Sequence, residues 1–429
     1  MIDSIARTVI VRLLGRLQGG TLELIDAVGV ERFGSADGVP GGTPMHVRVT
    51  VHNPRLYERL LREGSVGLGE SYADQWWETD DLPGFLRLAH RNLARTHGLR
   101  DRLHRIARPL VDPIVRRRAA DRQRDKRNIH AHYDLGNDLF QHLLDETMMY
   151  SCALFTAPTD SLATASRAKL DRLASIMRLE RGDRILEIGS GWGGFAIHAA
   201  QRYGCHVTTT TISEEQYDYV QARVRAAGLE DRITVRADHY RDLEGTFDKA
   251  IAIEMIEAVD WREYNAFFAH VRRLLTDSGV LVMQAIVVPD ASFDRAKRRT
   301  DFIKAAIFPG GCLPSVQALT AAADRSGLSL THLDDIGLHY GETLRRWRAN
   351  LRSRRADLST FGFDDRFFRL WEFYFAYCEA GFDERYVSVT QLAYSMPGHQ
   401  PRPSAAGVAA PGSLRLSSGR LSSGRLSSV

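Results

Sequence analysis

The sequence predicts an α/β protein with a doubly wound, mostly parallel sheet and a smaller amino-terminal α+β domain. Three observations support this prediction. Apolar residues at 185, 186 and 188 lead directly into a glycine-rich stretch, a pattern typical of a parallel strand that is buried on both faces. Strand-like and helix-like segments then alternate along the chain. The length of 429 residues exceeds that of one ordinary domain, so two or three units are expected.

The amino-terminal region predicts a helix followed by a small mixed domain. Apolar residues recur at helical spacing over residues 2–14 with arginines between them, which predicts a basic amphipathic helix that lies on a membrane surface or packs against its own domain. Alternation over His46–His52 predicts a half-buried strand. Trp76 and Trp77 indicate either an aromatic core or a surface that contacts lipid.

Residues 91–127 carry a marked excess of positive charge, with thirteen basic residues against four acids. Such an excess is typical of a segment that faces anionic lipid or of a solvated helical face. Nucleic acid is not expected as a partner, because the segment has almost no aromatic side chains on which bases could stack.

The overall composition is that of a globular protein. Hydrophobic residues make up 44% and charged residues 26% of the chain, and no apolar run approaches the roughly 20 residues that cross a bilayer. The cysteines lack CxxC spacing, which predicts no metal site, no disulfide framework and a reducing cytoplasm; they are Cys152, Cys205, Cys312 and Cys378.

The stretches after the glycine-rich turn predict the rest of the sheet. Further strands are expected at residues 206–212, 233–237, 249–253, 280–288 and 328–336. Ser213 is the predicted N-cap of a helix that ends at Gly228, and other helices are expected near residues 261–275, 343–351 and 367–379. Because ligands of such sheets collect beyond the carboxyl ends of the strands, one crevice should be surrounded by residues 189–194, 211–216, 238–240 and 254–257.

The glycine-rich turn is the strongest indication of a ligand. Gly189, Gly191 and Gly194 have GxGxxG spacing, which also occurs in NAD enzymes and in tight strand-to-helix connections. Glu187 adds a carboxylate inside an otherwise apolar strand, where a purely structural strand would favour an apolar residue. The ExGxGxG arrangement of Glu187, Gly189, Gly191 and Gly193 resembles motif I of class I S-adenosylmethionine methyltransferases, whose acidic residue helps to hold the amino-acid end of the ligand.

Longer motifs make the resemblance more specific. HYDLGNDLF at residues 132–140 and MMYSCALF at residues 148–155 are similar to the entry segment of the cyclopropane-fatty-acyl-phospholipid synthase family. GSVGLGESYADQWWE at residues 64–78 resembles that family's accessory domain, and FPGGCLPS at residues 308–315 resembles its substrate-side insertion. The resemblance covers most of the chain and implies a seven-stranded, Rossmann-like methyltransferase sheet.

The resemblance also implies how the chain is divided. We expect an amino-terminal accessory, lipid-associated domain at residues 1–92 and a basic helical linker at 93–127. A methyltransferase domain then follows at 128–400, with a substrate-side insertion at 290–326. The repeated SSGRL of residues 401–429 predicts a disordered, low-complexity tail.

The family's cofactor contacts can be placed on this sequence residue by residue. The resemblance implies S-adenosylmethionine as the methyl donor, held by Tyr150, Ser151, Glu187, Gly189, Gly191, Gly193, Gln216 and Tyr240. His239 stands where the family often has Asp, so the adenine side of the site departs from the family pattern.

The implied reaction adds a methyl group to an alkene, which leaves a carbocation and requires a base to remove a proton. Related enzymes use bound bicarbonate for this step, and the ligands that the resemblance implies here are Cys152, Glu257, the backbone of Ile286, and Tyr340. Gln284 stands at the usual histidine position, and it can donate a hydrogen bond but cannot become an imidazolium. A cyclopropane is therefore the expected product, with a methylene or methyl branch as the alternative. Cys152 could equally be a packing residue.

The expected acceptor is an unsaturated acyl chain of a phospholipid, modified by a cytoplasmic enzyme at the inner membrane surface. A homodimer is a further expectation. The aromatic residues at 367–377 indicate either an aromatic core or the wall of an acyl tunnel. Two other classes of function stay open, namely a small-molecule methyltransferase and a lipid-binding protein without catalysis. The retained glycines and acids argue against the second, and the additional domain argues against the first.

Overall fold

The structure is a computed structural model that describes residues 2–35, 45–92 and 136–399. Within these residues the chain forms two sheets, one of four strands and one of seven. The predicted linker at residues 93–127, the predicted tail at 401–429 and the polar residues 130–134 of the entry segment lie outside the described residues.

The amino-terminal sheet has the strand order β2-β1-β3-β4, with β1 and β3 parallel and the other pairs antiparallel. Leu22, Val47 and Val49 turn one face of this sheet into the core. The predicted strand at residues 46–52 is β3. The strands are β1 (Gly20–Asp26), β2 (Gly29–Ser35), β3 (Met45–Val51) and β4 (Trp77–Thr79).

The first helix, Ile2–Leu14, packs against its own domain. Ala6 is buried, whereas Ile5 is 63% exposed. Arg7 donates to Asp26 on β1, with Nε 2.6 Å from Oδ2, and it also pairs with Glu31. Helices Arg55–Glu63 and Ser65–Ala73 and a helical stretch at residues 82–92 complete this domain.

The larger sheet has the order β10-β11-β9-β8-β5-β6-β7. β11 is antiparallel to both of its neighbours, and the remaining pairs are parallel. This confirms the predicted doubly wound, mostly parallel methyltransferase sheet with a smaller amino-terminal domain. The strands are β5 (Arg184–Ile188), β6 (His206–Thr210), β7 (Ile233–Arg236), β8 (Phe247–Ile253), β9 (Leu275–Val287), β10 (Ser329–Asp335) and β11 (Ser388–Ser395).

Strand β11 is absent from the set of strands predicted from the sequence. Every residue from Val389 to Ser395 is buried, including Thr390 and Gln391. The strand pairs with β9 and β10 along its two edges, and the burial of consecutive residues shows that both of its faces are covered as well. Alternation, the usual sign of a strand, is therefore missing. Thr390 and Gln391 also interrupt the continuous apolar run that is expected of a strand buried on both faces.

The helices of this domain follow the predicted alternation. Ser213 caps its helix as predicted, because its side chain accepts a hydrogen bond from the backbone of Gln216. The last long helix packs on the amino-terminal domain, where Phe373 lies 5.7 Å from Tyr72 between ring centroids. The principal helices are Gly136–Leu143, Leu162–Met177, Gly194–His198, Glu214–Ala226, Tyr264–Leu274, Leu338–Ser353, Arg355–Ser359 and Asp365–Asp383.

The predicted insertion contains helices Asp290–Ala296 and Val316–Arg325 and a wider helical turn at Ile303–Ile307. Phe302, which is fully buried, stacks edge-on against Phe373 at 4.9 Å. The main-chain N–H of Phe302 also donates to Ser65 Oγ at 3.2 Å, so the insertion contacts both the amino-terminal domain and the methyltransferase domain. Across the described residues, each helix is too short or too polar to span a bilayer.

Candidate active site

A cavity of about 2150 Å³ runs from the carboxyl ends of the central strands toward the amino-terminal domain. Its polar end is lined by Gly189, Gln216 and Tyr240. Its far end is lined by apolar side chains of the amino-terminal domain, among them Leu13 and Leu60. One chamber therefore connects the crevice predicted from the strand ends with a long apolar compartment.

The glycine turn has the backbone geometry that the sequence predicts. Gly189, Gly191 and Gly193 have φ values of +92°, +48° and +83°, which residues with a Cβ atom rarely adopt. A Cβ at Gly189 would lie 3.0 Å from Met255 Cγ, whereas one at Gly191 would meet nothing within 4 Å. The turn therefore leaves open space beside Gly191 through which a ligand can approach the backbone closely.

Glu187 lines the cavity from strand β5 and is only 3% exposed. Its Oε2 atom has no hydrogen-bond partner. Burial raises the pKa of Glu187 to about 8, because an ionised carboxylate loses hydration there. An unpaired buried carboxyl group beside a glycine turn fits a ligand that carries a positive charge.

Ser151 is held by a lysine that the sequence analysis missed. Lys169 is fully buried in helix Leu162–Met177, and its Nζ donates to Ser151 Oγ at 2.7 Å. Burial lowers the pKa of Lys169 to about 8. The available signal was its position, because Lys169 falls on the same helical face as Leu162, Ala165 and Leu173.

Of the other predicted cofactor residues, Tyr150, Gln216 and Tyr240 line the cavity, whereas Gly193 does not. Tyr150 shares a hydrogen bond with Tyr374 at 2.9 Å between hydroxyl oxygens. Gln216 accepts a hydrogen bond from Thr211 at 2.8 Å. The ring of Tyr240 packs on His239, with centroids 4.5 Å apart. These contacts hold the predicted cofactor side chains in fixed orientations around the polar end of the chamber.

Glu254 is the centre of the polar cluster at the end of strand β8. Its Oε1 accepts hydrogen bonds from Cys152 N at 2.9 Å and from Gln284 Nε2 at 2.8 Å. Its Oε2 accepts one from the Tyr340 hydroxyl at 2.7 Å. Glu254 lines the cavity and has φ of +49°, an uncommon value for a residue other than glycine.

Glu257 follows one turn later and also lines the cavity. Its Oε1 accepts a hydrogen bond from Ile286 N at 2.5 Å, and its Oε2 is buried without a partner. Burial and then the charge of Glu254 raise the pKa of Glu257 to about 8. Burial also raises the pKa of Glu254, and the hydrogen bonds that it accepts from Gln284, Cys152 and Tyr340 oppose this effect.

Cys152 and Gln284 lie behind Glu254. Gln284 is fully buried, and its Nε2 is also 3.2 Å from Cys152 O while its Oε1 accepts from Gln391 Nε2 at 3.0 Å. Burial raises the pKa of the Cys152 thiol well above its usual value. The five predicted catalytic residues thus come together, but only Glu257, Ile286 and Tyr340 line the cavity.

Glu254 itself was missing from the predicted site. The loop at residues 254–257 was expected at the crevice, but the role of an acid was given to Glu257 alone. The signal in the sequence was a second glutamate directly after the buried strand, in IAIEMIEAV at residues 251–259. Among the described residues, no group of His, Cys, Asp and Glu is placed to hold a metal ion.

The aromatic residues of helix Asp365–Asp383 were expected either in a core or in the wall of an acyl tunnel, and different residues of the helix occupy the core and the cavity wall. Phe373 and Phe375 are fully buried in the core. Trp371, Tyr374 and Tyr377 line the cavity. The helix therefore supports the core and also forms part of the cavity wall.

Comparison with known proteins agrees with this architecture. The profile of the mycolic acid cyclopropane synthetase family matches residues 120–392. Tuberculostearic acid methyltransferase UfaA1 of Mycobacterium tuberculosis is 39% identical over 369 residues, which cover 83% of this chain and 85% of that protein. Cyclopropane-fatty-acyl-phospholipid synthase of Escherichia coli K12 is 34% identical over 382 residues, which cover 87% of this chain and 92% of that protein.

Solved structures show the same similarity. Cyclopropane synthase MmaA2 from Mycobacterium tuberculosis aligns with a TM-score of 0.58 at 26% identity, covering 63% of this chain and 97% of that chain. Mycolic acid cyclopropane synthase CmaA1 complexed with SAH and CTAB aligns with a TM-score of 0.58 at 28% identity, covering 62% and 97%. The chain therefore belongs to the mycolic acid cyclopropane synthetase family and is an S-adenosylmethionine-dependent C-methyltransferase of the cyclopropane-fatty-acyl-phospholipid synthase type.

Proposed function

We propose that the enzyme transfers a methyl(ene) group from S-adenosylmethionine to the double bond of an unsaturated fatty acyl chain of a phospholipid and forms a cyclopropane. The observation that carries this proposal is the single chamber that joins the glycine turn to a long apolar compartment. Similarity to a cyclopropane-fatty-acyl-phospholipid synthase over 87% of the chain supports it.

The residues at the polar end fit S-adenosylmethionine. Glu187 has an unpaired buried oxygen suited to the ligand's ammonium group, and the turn at Gly191 leaves space for it. Tyr150, Ser151, Gln216 and Tyr240 complete the proposed contacts, together with Gly189. Gly193 contributes through the backbone shape of the turn, with φ of +83°. When bound, the cofactor supplies an electrophilic methyl group, and the protein's contribution is to align it with the alkene away from water.

The apolar compartment fits an acyl chain. The first helix contributes Val9, Ile10 and Leu13 to its wall, and helix Asp365–Asp383 contributes Trp371 and Tyr377. The amino-terminal domain therefore adds apolar surface that a small polar acceptor would not need. This supports a lipid acceptor over a small-molecule acceptor.

The proposal of a phospholipid acceptor also places the enzyme in the cytoplasm, at the inner surface of the membrane. It rests on the thirteen basic residues at 91–127, because such segments are attracted to anionic lipid headgroups. Vesicles with an anionic lipid should recruit the protein more than neutral vesicles do, and salt should weaken that recruitment by screening. Equal recruitment to both vesicle types at low salt would contradict this part of the proposal.

The proposed homodimer is tested by light scattering at several protein concentrations.

A methylene- or methyl-branched chain is the second candidate product. It is favoured by Gln284 in place of histidine and by the similarity to tuberculostearic acid methyltransferase UfaA1. The decisive experiment supplies labelled methyl donor and an unsaturated phospholipid to the purified enzyme, and then measures product mass and ring content. Absence of label in the acyl chain would contradict the proposed function.

Bicarbonate, which the family resemblance implies as the base, does not fit the cluster as it stands. Its predicted ligands include Cys152, Gln284 and Tyr340, and all three are hydrogen-bonded to the carboxylate of Glu254. Ile286 N donates to Glu257. These donors are therefore already paired with the protein's own carboxylates.

A further inference from the structure

We infer that Glu254 is the general base of the reaction and that its carboxylate occupies, as a built-in anion, the place that the predicted ligands would give to bicarbonate. This inference rests on the proposed function, since it names the residue that removes the proton after methyl transfer. Glu254 is a cavity-lining residue and is therefore positioned to meet the acyl chain.

The first argument is the convergence of donors from separate elements. Cys152 lies in the loop before helix Leu162–Met177, Gln284 lies on strand β9, and Tyr340 lies in helix Leu338–Ser353. Their donor groups meet at the two oxygens of Glu254, at 2.7 to 2.9 Å. Hydrogen-bond donors that converge on one carboxylate form an anion site. Here the anion in that site is the side chain of Glu254 itself.

The second argument is the backbone of Glu254. Its φ of +49° is disfavoured for any residue with a side chain. Its main-chain N–H donates to Gln284 O at 2.7 Å, which fixes the residue to strand β9. Strained residues of this kind persist where the surrounding structure holds them and are concentrated at functional sites. Glycine at position 254 would adopt this backbone conformation without strain. The presence of a strained glutamate therefore indicates that its carboxylate has a role at this position.

The third argument is the distribution of charge around Glu254. Burial raises the pKa of Glu254, and the hydrogen bonds from Gln284, Cys152 and Tyr340 and the charge of the buried Lys169 act in the opposite direction. Glu257 is the neighbouring acid, whose pKa burial and then the charge on Glu254 raise to about 8. Of these two carboxyl groups, Glu254 is therefore the one whose ionised form the three donors and Lys169 stabilise.

The proposed step is balanced as follows. When bound, the donor would supply the methyl group by cleavage of its sulfur–methyl bond, with the neutral thioether as the leaving group. The new carbon–carbon bond would leave a positive charge on the neighbouring carbon of the acyl chain. Glu254 takes a proton from the added methyl group, and the electron pair of the broken C–H bond closes the three-membered ring onto the cationic carbon. If a hydride first moves to the cationic carbon from the carbon that carries the new methyl group, loss of the same methyl proton instead forms a methylene double bond. The proton leaves Glu254 through the cavity when the product departs.

The test compares two variants in buffers freed of bicarbonate and other small carboxylates. Wild type should keep its full turnover without added bicarbonate. Glu254→Gly suits the positive φ and opens a space beside the three donors, so its turnover should fall at least 100-fold and should return at least tenfold with added bicarbonate, formate or acetate. Glu254→Gln fills the same space with a group that is not a base, so it should be equally slow and should not be rescued.

The control for folding is the binding of S-adenosylmethionine to each variant, measured by calorimetry. Turnover of Glu254→Gln within threefold of wild type would overturn the inference, and so would wild-type turnover that depends on added bicarbonate. A Glu254→Gly variant that binds the donor yet gains nothing from any of the three anions would overturn it as well. Failure of the proposed function gives a different result, because wild type then labels no acyl chain under any of these conditions.

Discussion

Glu254 and Gln284 are joined by two hydrogen bonds. The main-chain N–H of Glu254 donates to Gln284 O at 2.7 Å, and Gln284 Nε2 donates to Glu254 Oε1 at 2.8 Å. Residue 284 therefore sets both the position of the Glu254 backbone and the direction of its carboxylate. Because the carboxylate lines the cavity, its direction decides which C–H bond of the bound chain it reaches.

The first prediction concerns Gln284→His. The imidazole donates from a different point than the glutamine amide, so it should redirect the carboxylate and raise the fraction of cyclopropane, as the family resemblance implies. The measurement is the ratio of ring to methylene or methyl-branched product with labelled donor. Gln391→Leu removes the bond that holds the far side of Gln284, together with the bond that Arg172 Nε donates to Gln391 Oε1 at 3.0 Å, and provides a comparison. An unchanged ratio in Gln284→His would show that this residue does not control the product.

The second prediction concerns Glu257→Gln. The amide can still accept the hydrogen bond from Ile286 N, so the free energy of unfolding and donor affinity should stay close to wild type. Turnover should fall at least tenfold, because an amide cannot exchange the proton that the carboxyl group carries beside Glu254. Single-turnover kinetics separate this loss from binding. Full activity of the variant would remove Glu257 from the chemistry.

The third prediction concerns Gly191→Ala, with Gly228→Ala as a matched control. Both glycines have positive φ and open space at the position of a Cβ, so each substitution should cost about 1–2 kcal/mol of folding free energy. Only Gly191 lines the cavity. Calorimetry should therefore show donor binding weakened at least tenfold in Gly191→Ala alone. Equal donor affinity in the two folded variants would contradict the assignment of the turn.

The fourth prediction concerns proton release at Glu187. The free protein holds this carboxyl group protonated up to pH about 8, and a cationic donor favours the ionised form. Binding near pH 7 should therefore release close to one proton, and affinity should rise with pH up to about 8. Calorimetry in buffers of different ionisation enthalpy measures the released proton. Donor binding to Glu187→Gln should release about one proton fewer than donor binding to wild type. Equal proton release by both proteins would refute the prediction.

The same group affects stability in the absence of donor. Since burial raises the pKa of Glu187 from 4.5 to about 8, the native state keeps a proton that the unfolded state loses between these values. The free energy of unfolding should therefore fall as pH rises through this window, by about 5 kcal/mol for this group. Urea unfolding at several pH values should show a shallower fall for Glu187→Gln than for wild type.

The fifth prediction concerns Cys378→Trp, which places a large ring in the apolar part of the chamber. Acyl turnover should fall at least tenfold, because the indole takes up space needed by the chain. Donor binding should be retained, since the glycine turn lies at the polar end. Cys378→Ala is the size control and should keep its activity. Normal turnover of long-chain substrate by the tryptophan variant would place the chain elsewhere.

The sequence was sufficient for the parallel strands β5 to β9 and for the donor turn, because both depend on local patterns. The apolar run of β5, the glycines after it and the Ser213 cap each have a signature within a few residues. Strand β11 lacked such a signature, since Thr390 and Gln391 interrupt its apolar residues while lying fully inside the sheet.

The cluster around Glu254 could not be predicted in full, because its partners are far apart in the chain. Cys152 and Tyr340 reach the same carboxylate although 188 residues separate them. A glutamate at positive φ also gives no sequence pattern of its own. The family resemblance identified the residues that donate, but the acceptor was found only from the contacts.

The position of β11 has a consequence for how the enzyme matures during synthesis. This strand joins β9 to β10 and carries Gln391, which holds Gln284 from behind. A nascent chain that has not yet emerged from the ribosome as far as residue 395 can pair β9 with β8 only, and β10 lacks its sheet neighbour. The acyl-modifying site is therefore completed only after nearly the whole protein has been translated, and proteolytic loss of this last strand would silence an enzyme whose donor turn was already formed.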